Sequence, residues 1–315
     1  MTGATTPRRD GAMRKAGKLD DRLSEHVERL ADEHPPIDLG SVDYSMNRPG
    51  LIARRFGPVL SYMARVELEV ERNVLELATL LPDPPEVDRH FYADVWMPQE
   101  TRHGEILDRL QAMLGIDPMK ADLTSVSIRL RLLGALGRFG PVQDVSRMLY
   151  YLTGMATERS AVIAYGQLHN GLLELDERAI AETVVAPIRR QEPGHFAFYQ
   201  LSSRGLWGQL GGWQKWLVRT LRRLTFTPVG VEHKRQRADF GRVMDALGIS
   251  TKDSDVVRHA QQIARVEHEL LWASRKGLRV PTYVVDALRQ AVEAAKAEAD
   301  IVAIGLPGRQ LSPEA

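Results

Sequence analysis

The sequence predicts an all-α fold with a four-helix bundle at its core and additional flanking helices. Three observations support this prediction. Ala, Leu, Arg and Glu, which favour helices, are plentiful in the 315-residue chain, whereas aromatic and β-branched residues are sparse. Apolar residues recur at intervals of three and four, as on one face of a helix. No alternation of apolar and polar residues is long enough to predict a strand.

Composition excludes several classes of protein. The formal net charge of +1 gives no basic excess of the kind that nucleic-acid-binding proteins carry. The chain has no cysteine, which excludes disulfides, thiolate metal sites and iron–sulfur clusters and suits a reducing cytosol. Because no stretch reaches the roughly 18 apolar residues of a membrane span and no secretory signal opens the chain, we expect a soluble cytoplasmic protein.

The amino-terminal unit is predicted to cover residues 1–45. Its first 13 residues are rich in Thr, Pro, Arg and Gly and predict a disordered arm. A short amphipathic helix follows, with Leu19, Leu23, Val27 and Leu30 on one face, and ends at Pro35-Pro36. An irregular connection then leads to about Pro49.

The bundle core is predicted at 46–205, where four long helices form two pairs. Helices at 58–81 and 85–114 are separated only by Pro82-Asp83-Pro84, and helices at 142–173 and 176–201 meet near Glu174. Such short breaks make the two members of a pair antiparallel neighbours. Another helix is predicted at 123–136. Residues 206–315 are predicted to pack on the core as helices at 207–224, 232–247, 253–276 and 281–299.

Two of the core helices carry the pattern Glu-x-x-His, as Glu100 with His103 and Glu192 with His195. Residues three apart lie on one helical face, so a carboxylate and an imidazole can reach the same ion. Glu67 precedes Glu100 by 33 positions and Glu158 precedes Glu192 by 34, with the turn about midway in each pair. The four helices therefore present four glutamates and two histidines at one height, which is typical of ferritin-like di-iron carboxylate bundles.

The chemistry of this ligand set favours two iron ions. Fe2+ with open coordination positions binds mixed carboxylate and imidazole ligands, and four carboxylates neutralise two divalent cations. Four acids that face one core without cations would repel each other, and buried isolated charges are costly. A pair of one manganese and one iron ion would use the same ligands.

The glutamate of the first core helix is chosen by its apolar face. Glu67 lies on the stripe formed by Leu60, Met63, Val70, Val74, Leu77 and Leu81. Glu69 is expected to point away from this stripe. Glu71 borders the stripe one turn nearer the loop and is the reserve candidate.

The residues around these positions resemble the soluble acyl-carrier-protein desaturases. The stretch Trp96-Met-Pro-Gln-Glu100-Thr-Arg-His103-Gly104-Glu105-Ile106-Leu107 is similar to their first motif, a Trp four residues before E-N-R-H-G-D-L-L. Their Q-E-R-A stretch resembles the segment Thr157-Glu158-Arg159-Ser160-Ala161, and their D-E-K-R-H-E motif is partly matched around Glu192 and His195. The similarity covers about 60–201.

The resemblance implies a function as well as a fold. The six ligands would be those named above, with Glu100 and Glu192 bridging the two irons and Trp96 near the cluster on an electron path. Enzymes of this family are homodimers that take electrons from a ferredoxin and insert a double bond into an acyl chain carried by acyl carrier protein. We therefore expect an O2-activating oxidoreductase that acts on an unactivated C–H bond.

Other interpretations stay open at this point. The same ligand set serves N-oxygenases and hydroxylases of small molecules, and a ferritin-like protein can bind metal without catalysis. Pro193 lies inside the second Glu-x-x-His, where it removes a backbone N–H, and Pro98 and Pro187 interrupt the ligand-bearing helices. Kinks or π-bulges are therefore expected beside the site.

Several further residues carry secondary expectations. A basic cluster is interpreted either as a solvated helix face or as a docking patch for an acidic partner: Lys215, Arg219, Arg222, Arg223, Lys234, Arg235, Arg237 and Arg242. Trp207, Trp213 and Trp216 are expected in the core or in dimer contacts. Three helical glycines beside the site, Gly104, Gly154 and Gly166, are expected to allow close helix packing. His259 and His268 are interpreted as ordinary surface or core residues.

Overall fold

The computed structural model describes residues 21–81, 83–122, 140–231, 234–273 and 280–303. All regular secondary structure in these ranges is helical, which confirms the predicted fold class. The predicted disordered arm at 1–13 and the predicted helix at 123–136 lie outside the described residues. None of the helices in the described ranges is both long and apolar enough to cross a membrane.

The bundle core contains two helical pairs, preceded by a helix α1 whose described part is 21–33. In the first pair, one member consists of α2 (Pro49–Leu68) followed by α3 (Val70–Leu80). The other member consists of α4 (Glu86–His90), a π-helical segment Phe91–Trp96 and α5 (Met97–Met113). The second pair consists of α6 (Gly140–Glu174) and α7 (Ala186–Gln209), and a second π-helical segment, Ile180–Val185, precedes α7. As predicted, α2 packs along α5, and α6 packs along α7.

Four more helices follow the bundle. They are α8 (Gly212–Thr225), α9 (Lys234–Ala246), α10 (Asp253–Glu267), which continues as a π-helical segment His268–Trp272, and α11 (Thr282–Ala303). Helix α9 packs on α2 and α11, and α10 packs on α6 and α11. Phe240 and Met244 of α9 belong to the same buried apolar cluster as Leu60 of α2 and Leu168 of α6. The carboxyl-terminal helices therefore share a core with the bundle.

The first core helix differs from its prediction at both ends. It begins at Pro49 instead of residue 58, and Pro58 lies inside it. Pro58 leaves the carbonyl of Arg54 without its helical donor, and because Arg54 is exposed this carbonyl can bond to water. The predicted continuous helix is also interrupted at Glu69, which ends α2 and precedes α3.

The two π-helical segments explain how prolines enter the ligand-bearing helices. A proline clashes with the carbonyl four residues earlier and cannot donate to it. For Pro98 and Pro187 these earlier residues are Asp94 and Thr183, and both lie inside a π-helical segment, where the backbone is wider. The expected disturbance beside the site is thus confirmed. Pro193, by contrast, lies within a continuous α7.

The helical glycines allow close packing at two of the three predicted positions. A Cβ on Gly104 would lie 2.8 Å from Leu68 Cδ2, and a Cβ on Gly154 would lie 2.3 Å from the ring of Tyr199. A Cβ on Gly166 would meet no atom within 4 Å. The expectation is therefore confirmed for Gly104 and Gly154 and wrong for Gly166.

Replacement of two glycines of the same helix should have opposite effects on stability. Gly154→Ala forces a methyl group into the buried ring of Tyr199 and is expected to lower the free energy of unfolding by about 1–3 kcal/mol. Gly166→Ala adds a methyl group in open space and should raise it by up to about 1 kcal/mol. Urea denaturation followed by circular dichroism measures both, and equal effects would contradict this packing.

Candidate metal centre

The six predicted ligands come together in the interior of the bundle. Glu67 comes from the last turn of α2, Glu158 from α6, and the two Glu-x-x-His pairs from α5 and α7. Every one of these side chains is buried, and the most accessible, Glu67, is 7% exposed. The structure therefore brings all six residues to one place, as the spacing along the sequence predicted.

The six side chains form two overlapping groups, each with ligand atoms within 4.8 Å of one another. The first group adds Glu67 and His103 to the glutamates Glu100 and Glu192, and the second adds Glu158 and His195 to the same two glutamates. Each group offers three carboxylates and one imidazole. The geometry thus suits two cations that share Glu100 and Glu192.

Distances within the groups are those of atoms that converge on a common point. His103 Nδ1 lies 3.5 Å from Glu100 Oε2, 3.5 Å from Glu192 Oε1 and 3.8 Å from Glu67 Oε2. His195 Nδ1 lies 2.8 Å from Glu100 Oε1 and 3.7 Å from Glu158 Oε2. Although the 2.8 Å contact is short, neither of its atoms makes a hydrogen bond of acceptable geometry.

The choice among the glutamates near the end of α2 is consistent with the structure. Glu67 lies in the cluster, whereas the reserve candidate Glu71 is exposed. Glu69 lies outside both ligand groups, which is consistent with its expected position off the apolar stripe, although its side chain is buried. It is 3% exposed and forms ion pairs with Arg65 at 3.2 Å and Arg72 at 3.3 Å, which compensate its buried charge.

Two aromatic side chains hydrogen-bond to Glu67 and Glu158, the two glutamates that the ligand groups do not share. Trp96 Nε1 donates to Glu158 Oε1 at 3.2 Å, so the Trp of the first motif does lie beside the cluster. Tyr165 Oη donates to Glu67 Oε1 at 2.5 Å, a contact that the sequence analysis missed. Tyr165 lies seven positions after Glu158 on α6, and this spacing, which returns to the same helical face, could have identified it.

Each histidine is held by a glutamine from the opposite motif. Gln191 Oε1 lies 2.6 Å from His103 Nε2, and Gln99 Oε1 lies 2.6 Å from His195 Nε2. The amide of Gln99 donates to the carbonyl of His34, and that of Gln191 donates to the carbonyl of Pro35 at 2.8 Å. The segment after α1 therefore anchors both glutamines.

These contacts fix the tautomer of both imidazoles. A backbone carbonyl can only accept a hydrogen bond, so each glutamine must point its NH2 group at the carbonyl and its oxygen at the histidine. The histidine Nε2 must then donate its proton. In a neutral ring this leaves the lone pair of Nδ1 directed at the carboxylates, as in a metal ligand whose outer nitrogen is fixed by a hydrogen bond.

Several buried atoms of the cluster lack a hydrogen-bond partner, and their chemistry indicates whether a cation could bind among them. These atoms are Glu100 Oε1, Glu192 Oε1, His103 Nδ1 and His195 Nδ1. All four can donate an electron pair once deprotonated, and buried polar groups of this kind are normally satisfied. Carboxylate oxygens and imidazole nitrogens are ligands of Fe, Mn and Zn ions. The residues present therefore fit a pair of divalent metal ions.

Protons occupy the site when no cation is present. Burial, with the neighbouring Glu100 carboxylate, raises the pKa of Glu67 to about 8 and that of Glu192 well above its usual range. Burial lowers the pKa of His103, but the carboxylates of Glu100 and Glu67 outweigh it and raise this pKa to about 10. Metal ions must displace these protons, so metal binding is coupled to proton release.

The basic cluster is only partly available for docking. Arg222 is 2% exposed and forms an ion pair with Glu267 at 3.0 Å, so both interpretations, a docking patch and a solvated helix face, were wrong for this residue. The guanidinium of Arg219 lies over the ring of Trp207. Trp213 and Trp216 are 52% and 64% exposed, so they do not lie in the core of this chain.

Metal content should depend on the cluster and not on neighbouring acids. Purified protein is expected to hold about two metal ions per chain, and Glu100→Ala or His195→Ala should reduce this content by more than half, since each removes a ligand. Glu105→Ala is the matched control, because Glu105 is exposed on the same helix as Glu100. Elemental analysis by mass spectrometry gives the counts, and unchanged content in the ligand variants would refute the site.

The glutamines should matter for metal affinity although they do not touch the metal. Gln191→Leu removes the group that orients His103 and is expected to weaken metal binding about 10- to 100-fold. Gln167→Leu on the exposed face of α6 should leave affinity unchanged. Competition with a chelator measures the affinities, and equal affinities for the two variants would show that Gln191 does not position the histidine.

Comparison with known proteins gave no match to this chain. No family model matches it, and neither a curated protein nor a solved structure is significantly similar to it. The function of the centre is therefore inferred from its residues and their geometry.

Proposed function

We propose that the protein is a di-iron oxidoreductase that activates O2 and oxidises an unactivated C–H bond of an acyl chain, as the acyl-carrier-protein desaturases do. The main support for this proposal is that the four carboxylates of the cluster lie in the wall of an apolar cavity. The shared positions of Glu100 and Glu192 in the two ligand groups also support it, because the resemblance makes these two residues bridging.

The cavity provides about 810 Å³ of space, including the part that opens to solvent. The carboxylate-bearing residues Glu67, Glu100, Glu158 and Glu192 form part of its wall. Most of the remaining wall is apolar and includes Met63, Val66, Val70, Ala161, Val243 and Met244. A cavity of this composition favours an apolar substrate whose carbon atoms can reach the metal ligands.

Iron bound here would supply the electrons that reduce O2 and the oxidising power to remove hydrogen from an unactivated carbon. The four carboxylates would neutralise the charge of two divalent ions. Gln99 and Gln191 keep the imidazoles oriented, and Trp96 and Tyr165 fix one oxygen each of Glu158 and Glu67. The apolar wall excludes water from the reacting carbon and from the ligands.

The resemblance adds the reaction partners to this proposal. A ferredoxin-type protein would donate electrons, acyl carrier protein would deliver the acyl chain, and two copies of the chain would form a homodimer. A pair of one manganese and one iron ion would use the same six ligands. A protein that only stores metal needs no apolar cavity beside the metal ligands. The presence of this cavity therefore favours an enzyme.

The product mass tests the proposed reaction. Iron-loaded protein, a reductant, O2 and a series of acyl-carrier-protein substrates are expected to give acyl chains that have lost two hydrogen atoms. Glu100→Ala should give no product, while exposed Glu105→Ala should retain activity. An acyl product that has gained one oxygen atom would show that the reaction is an oxygenation and not a desaturation. No product from a fully iron-loaded protein would contradict an acyl substrate.

A further inference from the structure

We propose that His259 binds an uncharged oxygen substituent of the substrate, so that the substrate is an apolar chain with a hydroxyl or carbonyl group at a set distance from the carbon that is oxidised. This inference rests on the proposed function for the reaction at the metals. The binding site itself is defined by the cavity and can be tested without turnover.

His259 lies in the wall of the same cavity as the metal ligands. It comes from α10, which packs against α6, the helix that carries Glu158. Its side chain is 4% exposed, and the same cavity wall includes Met244, Leu247 and Ile249. Its sequence context predicts only an ordinary surface or core residue, because no second motif accompanies it.

The imidazole of His259 lacks a partner within the described part of the protein. Its Nδ1 atom is enclosed by protein and makes no hydrogen bond, so a ligand would have to reach the other ring nitrogen, Nε2, which has no hydrogen-bond partner among the described residues. Burial lowers its pKa to about 4, so the ring is neutral near pH 7. A neutral imidazole has one N–H donor and one nitrogen acceptor, and a buried polar group of this kind normally has a partner. A ligand in the cavity would supply one.

The other cavity residues restrict the chemistry of that ligand. None of the described residues that line the cavity is a lysine or an arginine. A carboxylate or phosphate bound at His259 would lose its hydration without a lysine or arginine to compensate it, and the charge of two divalent metal ions would already be neutralised by the four glutamates. The hydroxyl groups of Tyr62 and Ser160 already donate to the carbonyls of Val229 and Ala156. The hydrogen-bonding capacity at His259 therefore suits an uncharged hydroxyl or carbonyl group.

A fixed contact at His259 would also determine where the chain is oxidised. A chain held only by apolar walls can slide along the cavity, because dispersion and burial have little directional preference. One hydrogen bond at a defined atom sets the register of the chain. The carbon that lies beside the metal ligands is then selected by its distance from the oxygen substituent.

Paired ligands that differ only in the polar group test this inference. The full-length protein without reductant is titrated with 1-octanol and with 1-octene, each of which displaces the uncharged fluorescent probe N-phenyl-1-naphthylamine. His259→Leu is expected to weaken binding of 1-octanol about 10-fold and to leave 1-octene unchanged, because only the alcohol loses a hydrogen bond. His259→Gln, which keeps a donor and an acceptor, should retain most of the preference.

If a His259 variant does not fold, nuclear magnetic resonance of the wild-type protein tests the same inference. The imidazole nitrogen resonance of His259 should shift on addition of 1-octanol and stay in place with 1-octene. An equal loss of both ligands in His259→Leu, no shift with 1-octanol, or no displacement of the probe by either ligand would overturn the inference. None of these readouts needs iron or O2, so failure here is distinct from failure of the proposed reaction.

Discussion

Four carboxylates and two imidazoles face one another in the buried interior of a helical bundle, and the rest of the structure is organised around the repulsion between the carboxylates. Isolated buried charges of one sign are too costly to persist, so positive charge must be present, as protons or as metal ions. Two divalent cations match the four carboxylates, whereas protons leave buried donors and acceptors unpaired. Bound cations would compensate the charge of the Glu192 carboxylate, which explains how this side chain can be only 1% exposed.

The ligand helices are connected crosswise, which makes the centre a property of the whole bundle. Gln99 stands next to Glu100 in sequence but orients His195, and Gln191 stands next to Glu192 but orients His103. Both glutamines are in turn anchored on the backbone just after α1. Neither half of the centre is therefore held by one helical pair alone. The amino-terminal segment belongs to the support of the metal site as well as to the outer surface.

Much of the centre could be predicted from the sequence because its ligands obey helical geometry. Spacing of three within a helix, and equal distance from a short turn between helices, are local rules that survive in the folded chain. The contacts of Gln99 with His34 and of Tyr165 with Glu67 join distant positions, and no periodicity relates the first pair. Likewise, Pro98 and Pro187 indicate that a helix is disturbed, but the choice of a π-helical segment depends on packing. The ion pairs of Glu69 with Arg65 and Arg72 follow the helical spacings of four and three, whereas the hydrogen bond that it accepts from the backbone N–H of Asp122 joins distant positions.

Anomalous diffraction at the iron absorption edge would locate bound iron ions in the bundle. Crystals of the iron-loaded protein should show two anomalous peaks, one within reach of Glu67 and His103 and the other within reach of Glu158 and His195. Both peaks should contact Glu100 and Glu192. A single peak, peaks outside the bundle, or six side chains that hydrogen-bond only to one another with no metal would show that the bundle does not hold two iron ions.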